Sequence, residues 1–256
     1  MTKMGKLTFF LGLEVKQSYD GTLIHQAKYI QDMLKKFQMT DSKTNPKESL
    51  EIAIKRILHY LKGSPKLGLW YPKASSFDLV AYSDSDHGGC QLDRKSVSGG
   101  CQYLGHCLVS WQCKKQTSVP ISSAEAEYIA ASSCCSQILW IQHQIMDYGI
   151  NLKQTLMFID NEACVKIVKN PIYHSNTKHI DVRVHAIRDA YEKEYIQVLP
   201  VNTNDQKADI FRKAFDKSKF LDLVQKLGSK GESGYTEVHV GRLSIQTTRL
   251  QFNDKR

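Results

Sequence analysis

Four acidic residues stand at the ends of predicted strands and helices, where side chains from distant parts of a chain can meet. Asp84 ends the strand in "FDLVAYSDSD", Glu127 lies in the first turns of the helix that begins at "SSAEAEY", and Asp160 ends the strand in "LMFID". Asp209 lies in the first turn of the last predicted helix. In an α/β sheet, functional groups gather at the edge where strands end and helices begin, so these carboxylates can converge.

Such a group of carboxylates predicts a site for hard divalent cations. The negative charges repel each other unless cations neutralise them, and a ligand set made only of oxygen indicates Mg²⁺ or Mn²⁺. Two such ions about 3.5–4 Å apart are the usual apparatus for phosphodiester hydrolysis, where one activates the attacking water and the other stabilises the leaving oxygen. Alternatively, the acids cap turns and helix N-termini without a metal, and the spacing alone leaves both interpretations open.

Asp84 and Glu127 each have another acidic residue two positions away in the sequence. Residues i and i+2 share a face of a strand, so Asp86 can assist or replace Asp84. On a helix, Glu125 and Glu127 point about 200° apart, so only one of them can face a metal.

The spacing of apolar residues predicts the elements that position these acids. From Phe77 it predicts three consecutive antiparallel strands, a long helix with Ser122 or Ser123 as its N-cap, and then further strands and helices. The predicted bounds are strands 77–86, 99–104 and 107–113, helix 122–149, strand 156–161, helices 162–170 and 179–194, strand 196–201 and helix 205–228. This order predicts an α/β fold with a mixed sheet flanked by helices.

Long blocks of this region resemble the ribonuclease H domain of copia-type LTR-retrotransposon polyproteins. They include "AYSDSDHGGCQLDRKSVSGGCQYLG", "VSWQCKKQTSVPISSAEAEYIAAS", "FIDNEACVKIVKNPIYHSNTKHIDVRVHAIRD" and "ADIFRKAF", and the resemblance covers about 77–225. It implies a ribonuclease H-like fold and cleavage of the RNA strand of RNA–DNA hybrids. It also implies catalytic and metal-binding roles for the acids that match the family's blocks, which are Asp84, Glu127, Asp160 and Asp209.

The N-terminal region resembles a different part of the same polyproteins. Residues 4–72 are similar to the end of the reverse transcriptase region, and the elements predicted there are strand 7–15, a hairpin with "GTLIH", helices 28–39 and 50–63, and strand 67–72. The Y-x-D-D type turn of the polymerase is absent and the region looks shortened, so no polymerase activity is expected. The predicted domains are a reverse transcriptase remnant at 1–73, a ribonuclease H-like domain at 74–228 and an irregular tail at 229–256.

An RNA–DNA hybrid is a polyanion, and basic residues near the predicted metals are candidates to bind its phosphates. The chain carries 35 Lys and Arg against 26 Asp and Glu, a net charge of +9, which fits such a partner. The predicted contacts are Arg94, Lys95, Ser96, Ser98, Lys114, Lys115, Lys178 and Arg183. Each of these basic residues has the alternative of being an ordinary solvated side chain.

Composition predicts an intracellular chain, cytoplasmic or nuclear, without membrane association. The seven cysteines are odd in number and form no C-x-x-C pair, which is typical of reduced thiols and leaves zinc at Cys101, His106, Cys107 and Cys113 as a minor alternative. We see no signal peptide and no apolar stretch of the roughly 18 residues that a membrane-spanning helix needs. The oligomeric state is not predicted.

Two other functions compete with hybrid cleavage. A catalytically silent retroelement fragment that at most binds nucleic acid is favoured by the missing polymerase core. An integrase-like transferase shares the fold, but its last acid is a glutamate, whereas here the glutamate comes second and an aspartate last. Many cellular ribonucleases H carry a histidine before the last acid. Here "PVNTNDQKAD" has none, which leaves Asn204 or water as candidates for proton transfer.

Overall fold

In the computed structural model, the described residues are 7–10, 12–38, 62, 68–73, 77–90, 93–152, 154–170, 186–213 and 215–227. They divide into two compact units. The first takes in the described residues up to Lys73 together with 215–227, and the second those from Phe77 to Lys213. The predicted helix 50–63 and the tail 229–256 lie outside the described residues, apart from Lys62.

The first unit contains a four-stranded antiparallel sheet. Its strands are β1 (Phe9–Phe10), β2 (Leu13–Gln17), β3 (Gly21–His25) and β4 (Gly68–Pro72), in the order β1-β2-β3-β4. The predicted hairpin is present, since β2 pairs with β3 and Val15 lies opposite Ile24. Helix α1 (Ala27–Gln38) follows directly, at nearly the predicted bounds.

The second unit is built on a mixed five-stranded sheet. Its strands are β5 (Leu79–Ser85), β6 (Val97–Leu104), β7 (Cys107–Lys115), β8 (Thr155–Ile159) and β9 (Ile196–Pro200), in the order β7-β6-β5-β8-β9. The first three are antiparallel, whereas β8 runs parallel to both β5 and β9. The predicted α/β class, with three consecutive antiparallel strands in a mixed sheet, is confirmed.

Helices cover one face of this sheet. They are α2 (Ser123–Met146), α3 (Glu162–Lys169) and α4 (Ala186–Glu192), of which α4 falls within the predicted helix 179–194. Side chains of β5, β8 and β9 form one buried cluster with these helices, for example Ala81 with Tyr128 and Ile138. Among the described residues, no helix is both long and apolar enough to cross a bilayer.

The predicted single helix 205–228 is wrong. The chain forms two short 3₁₀ helices, Thr203–Asp205 and Lys207–Phe211, and only then an α-helix, α5 (Lys217–Lys226). Asp216 explains the new start, because its side chain accepts hydrogen bonds from the backbone N–H groups of Ser218 (2.9 Å) and Lys219 (3.0 Å) as an N-cap does. Asp209 therefore lies on a 3₁₀ helix and not in an α-helix.

Candidate metal centre

Three of the predicted acids meet at one point of the second unit. Asp84 comes from β5, Glu127 from the second turn of α2, and Asp160 directly follows β8. One carboxylate oxygen from each lies within 4.8 Å of the others. Asp84 and Glu127 are buried and Asp160 is half-buried. The neighbouring parallel strands β5 and β8 bring two of the acids to the same edge, as the sequence predicted.

Hydrogen bonds between the strand and the helix fix Glu127 beside Asp84. The backbone N–H of Ser85 donates to Oε1 of Glu127 at 3.0 Å. Behind this bond, Nε2 of buried Gln116 lies 3.1 Å from the Ser85 hydroxyl and 2.9 Å from the carbonyl of Ala126. Gln116 thus ties β5 to α2 next to the acids. No sequence pattern marks Gln116, because a glutamine just after a strand carries no signal of its own.

A second buried glutamine fixes the segment that carries Asp209. Nε2 of Gln206 donates to the carbonyl of Ser83 at 2.9 Å, and its Oε1 accepts from the N–H of Ala208 at 3.2 Å. We call residues 206–213 the 206–213 segment. Its first residue is therefore hydrogen-bonded directly to β5. Gly99 allows the close approach on β6, since a Cβ there would lie 2.9 Å from the Ala208 carbonyl oxygen.

The same segment covers aromatic side chains of the sheet. The ammonium group of Lys207 lies 5.2 Å from the ring centre of Tyr82 and 4.3 Å from that of Tyr103. Cation–π contacts of this kind add to the packing of fully buried Phe211. Asp84 shares its strand face with Tyr82, so the segment places Asp209 on the side of the sheet toward which Asp84 points.

Two cations of the segment pair with the acids. Arg212 bonds through Nε to Oδ2 of Asp84, and its Nη2 lies 3.3 Å from Oδ1 of Asp209. Lys213 forms an ion pair with Oδ1 of Asp209 and lies 3.8 Å from Oδ2 of Asp84. Burial lowers the pKa of Arg212 to about 10, which leaves it charged at neutral pH.

Burial and mutual repulsion raise the pKa of the remaining carboxyl groups. The pKa of Glu127 rises to about 8, mainly because the group is buried and because Asp160 is close. Burial and the charge of Asp209 raise the pKa of Asp160 as well. These raised pKa values mean that the carboxyl groups tend to stay protonated unless an added cation stabilises their ionised forms.

Two buried oxygens indicate that the cluster fits such a cation. Oδ1 of Asp84 and Oε2 of Glu127 are buried and have no hydrogen-bond partner. An unpaired buried carboxylate oxygen is costly, and a metal ion satisfies it. Because the donors are all carboxylate oxygens, the set suits Mg²⁺ or Mn²⁺.

Asp86 and Glu125, the acids two positions from Asp84 and Glu127, accept hydrogen bonds from backbone N–H groups. Asp86 accepts a hydrogen bond from the N–H of Val97 at 2.6 Å and lies outside the three-acid cluster, so the suggestion that it assists or replaces Asp84 is not supported. Glu125 accepts from the N–H of Ile121 at 2.6 Å, while Ser122, the N-cap of α2, accepts from the N–H of Glu125. Glu127 is therefore the helix glutamate that faces the cluster.

The predicted nucleic-acid contacts divide into several groups. Ser96 and Ser98 are buried, and their hydroxyls accept from the N–H of Gly88 (3.0 Å) and from Gln116 (2.9 Å), so the predicted contacts of these two serines with nucleic acid are not supported. Lys115 lies 2.9 Å from the Cys90 sulfur and 3.1 Å from Asp93, which engages it within the protein. Arg94 and Lys114 are exposed and Lys95 is half-buried, whereas Lys178 and Arg183 lie outside the described residues.

The cysteines offer no second metal centre in the described part of the chain. All seven are free thiols, and the only group of metal-binding side chains found among described residues is the three-acid cluster. Burial raises the pKa of Cys113 and of Cys134 to about 12, which keeps both protonated. The minor zinc alternative at Cys101, His106, Cys107 and Cys113 receives no support there.

The comparison with curated proteins finds retrovirus-related Pol polyproteins from transposons of Arabidopsis thaliana. RE1 is 31% identical over 278 residues, which cover 87% of this chain and 19% of RE1. RE2 is 37% identical over 177 residues, which cover 69% of this chain and 12% of RE2. The chain spans less than a fifth of either relative. Since the region aligned with RE1 exceeds the 256 residues of this chain, RE1 carries residues without a counterpart here.

No protein-family profile matches the chain. Among solved structures, the N-terminal RNase H domain of Rv2228c from Mycobacterium tuberculosis, determined as a fusion with maltose binding protein, is 12% identical with a TM-score of 0.40. That match covers 59% of this chain and 98% of the solved one.

Proposed function

Because this chain is related to the Pol polyproteins of copia-type retrotransposons over most of its length, we propose that it hydrolyses the RNA strand of RNA–DNA hybrids. The observation that carries the proposal is the convergence of Asp84, Glu127 and Asp160, with two buried oxygens that lack partners. Asp209, on the 206–213 segment, is the fourth acid of the proposed site.

Divalent ions, Mg²⁺ or Mn²⁺, are the proposed cofactor, held by Asp84, Glu127 and Asp160. Such ions supply an activated water and stabilise the leaving oxygen in phosphodiester hydrolysis. The residues of the chain hold this arrangement in place. Asp84 and Asp160 project from adjacent parallel strands, and Glu127 is anchored by the N–H of Ser85, so the three carboxylates are positioned before any ligand binds.

Glu127 has a further role in the proposed site. Its raised pKa of about 8 means that it holds a proton near neutral pH while the cluster lacks a cation. Cation binding requires the ionised form, so binding releases that proton and becomes more favourable as the pH rises toward 8. Because Glu127 is buried, water cannot stabilise its ionised form, and the cation takes over that stabilisation when it binds.

Basic residues with solvent-accessible side chains, two of them exposed and one half-buried, are the proposed contacts with the hybrid. Lys114 lies opposite Ser98, and Ser98 lies opposite Ser85, so Lys114 is two strands, about 10 Å, from the strand end that carries Asp84. We propose Lys114, Arg94 and Lys95 as phosphate contacts, and retain Lys178 and Arg183 as predictions from the sequence. Lys115 is a weaker candidate, because it already pairs with Asp93.

Cleavage of a labelled hybrid by the full chain in Mg²⁺ tests the proposal. We expect cleavage of the RNA strand of the hybrid only, and no cleavage of RNA–RNA or DNA–DNA duplexes of the same sequence. Asp160→Asn should abolish it, whereas Asp189→Asn, which changes an exposed aspartate on α4, should not. Equal cleavage by wild type and Asp160→Asn would show a contaminating nuclease and contradict the proposal.

A silent fragment that binds hybrids without cutting them is the second candidate. It is favoured by one observation, the pairing of Arg212 and Lys213 with Asp84 and Asp209, which neutralises part of the acidic site. Fluorescence anisotropy with the same hybrid separates the two functions. Binding without any cleavage in Mg²⁺ or Mn²⁺ would support the silent fragment.

A further inference from the structure

The two carboxylate oxygens of Asp84 have different surroundings. Oδ1 is buried without a hydrogen-bond partner, whereas Oδ2 accepts a hydrogen bond from Nε of Arg212 and lies 3.8 Å from the ammonium group of Lys213. One oxygen is therefore available to an added ligand. The other is already bound to a cation that belongs to the chain itself.

Arg212 is built into the site and does not merely lie near it. Its side chain is only 7% exposed, and its guanidinium contacts both Asp84 and, at 3.3 Å, Asp209. The backbone N–H of Arg212 also donates to the backbone carbonyl of Asp209 at 3.1 Å, and this bond helps to hold the Arg212 side chain between the two acids. A guanidinium buried this deeply is stable only with carboxylate partners, and its planar fork can serve two of them.

The charges of the site fit a single divalent ion. When ionised, Asp84, Glu127, Asp160 and Asp209 together carry four negative charges, and Arg212 and Lys213 offset two of them. The remaining two match the charge of one divalent ion at the three-acid cluster. A second divalent ion beside Arg212 would meet a positive charge at contact distance.

We propose that Arg212 holds the position of a second cation between Asp84 and Asp209, so that the resting chain binds one divalent ion, at Asp84, Glu127 and Asp160. This inference rests on the proposed function, because it takes the cluster to be a metal site. A second ion enters the Asp84–Asp209 pair only when the guanidinium leaves it. Arg212 is therefore a residue that sets how many metal ions the site holds.

Counting bound Mn²⁺ tests the inference without any measurement of activity. Titration of the metal-free full chain with Mn²⁺, followed by electron paramagnetic resonance of the free ion, should give one tightly bound ion for wild type. Arg212→Gln should give two. Arg188→Gln is the matched control, since Arg188 is another largely buried arginine, with 17% exposure, that pairs with Glu192 instead; it should still bind one.

Other counts overturn the inference. Two ions or none in the wild type contradict it, as does a folded Arg212→Gln chain that binds only one. If Arg212→Gln does not fold, the wild-type count decides: one ion supports the inference and any other count overturns it. A wild type that binds one ion but cleaves no hybrid removes the proposed function and leaves the metal count standing, so the two failures are distinguishable.

Discussion

Asp84 and Asp86 lie two residues apart, and so do Glu125 and Glu127, yet the members of each pair have opposite surroundings. Asp86 accepts a hydrogen bond from the backbone N–H of Val97, the first residue of β6, and Glu125 accepts one from the backbone N–H of Ile121, just before α2. Asp84 and Glu127 each keep a buried oxygen with no partner. An acid satisfied within the chain stabilises local structure, whereas an acid left unsatisfied at a cost in stability points to a ligand.

Exchange of each aspartate for asparagine gives the largest expected contrast. Asp84→Asn removes a charge from the cluster and should lower hybrid cleavage by about 100-fold or more. Asp86→Asn keeps an oxygen that can accept from the N–H of Val97 and should cleave at nearly the wild-type rate. Rates from a labelled hybrid check this, and equal losses in the two variants would remove the distinction between the pairs.

Stability against pH separates Glu127 from ordinary acids. Its pKa is about 8 in the folded chain, against an ordinary 4.5, so the folded state keeps a proton that the unfolded state has lost. That contribution to stability is complete below about pH 4.5 and is lost as the pH rises through about 8. In EDTA, Glu127→Gln should show a smaller fall in unfolding temperature between pH 5 and 9. Parallel curves would contradict the raised pKa.

Two adjacent glycines test how Asp209 is positioned. Gly99→Ala places a Cβ 2.9 Å from the Ala208 carbonyl oxygen and should destabilise the fold by about 1–3 kcal/mol, because backbone cannot yield as a side chain can. Gly100→Ala is the control, since the nearest atoms to its Cβ lie at 3.8 Å. Denaturant unfolding measures both. If Gly99→Ala costs no more than Gly100→Ala, the 206–213 segment is not held by this approach.

The smallest effect is expected at the helix N-terminus. Glu125→Ala removes the acceptor of the Ile121 N–H and should cost about 1 kcal/mol of stability. Because Glu125 takes no part in the cluster, the number of bound Mn²⁺ ions should not change. A lost ion in this variant would place Glu125 in the metal site after all.

The site was predicted best from the sequence where an acid lies at the end of a strand, because the direction of the strand then determines where the acid lies. Asp84 and Asp160 end strands that were readily predicted, and parallel neighbours bring their ends together. Asp209 was predicted in the wrong element, since helix propensity across 205–228 hides the helix start at Asp216 and the bond by which buried Gln206 anchors its segment to β5. Gln206 acts through Ser83, 123 positions away, which local patterns do not report, whereas the cap formed by Asp216 is local.

The same limit explains the residues that were missed or misjudged. Ser96 and Ser98 look like solvent-exposed hydroxyls in a polar loop, but partners from other elements bury them. Gln116 bonds to the hydroxyl of Ser85 and the carbonyl of Ala126, and Arg212 to Asp84, across separations that periodicity does not reach. The composition gives the net positive charge of the chain, but it does not indicate that Arg212 lies between Asp84 and Asp209.

The bond from Gln206 to Ser83 joins residues 123 positions apart, and this has a consequence for how the protein is made. At translation rates of about 5–20 residues per second, Ser83 and its strand are synthesised roughly 6–25 seconds before the 206–213 segment. Until then a nascent chain has only three of the four acids. Contacts of such long sequence separation also slow folding, so the fourth acid should be among the last groups to find its place.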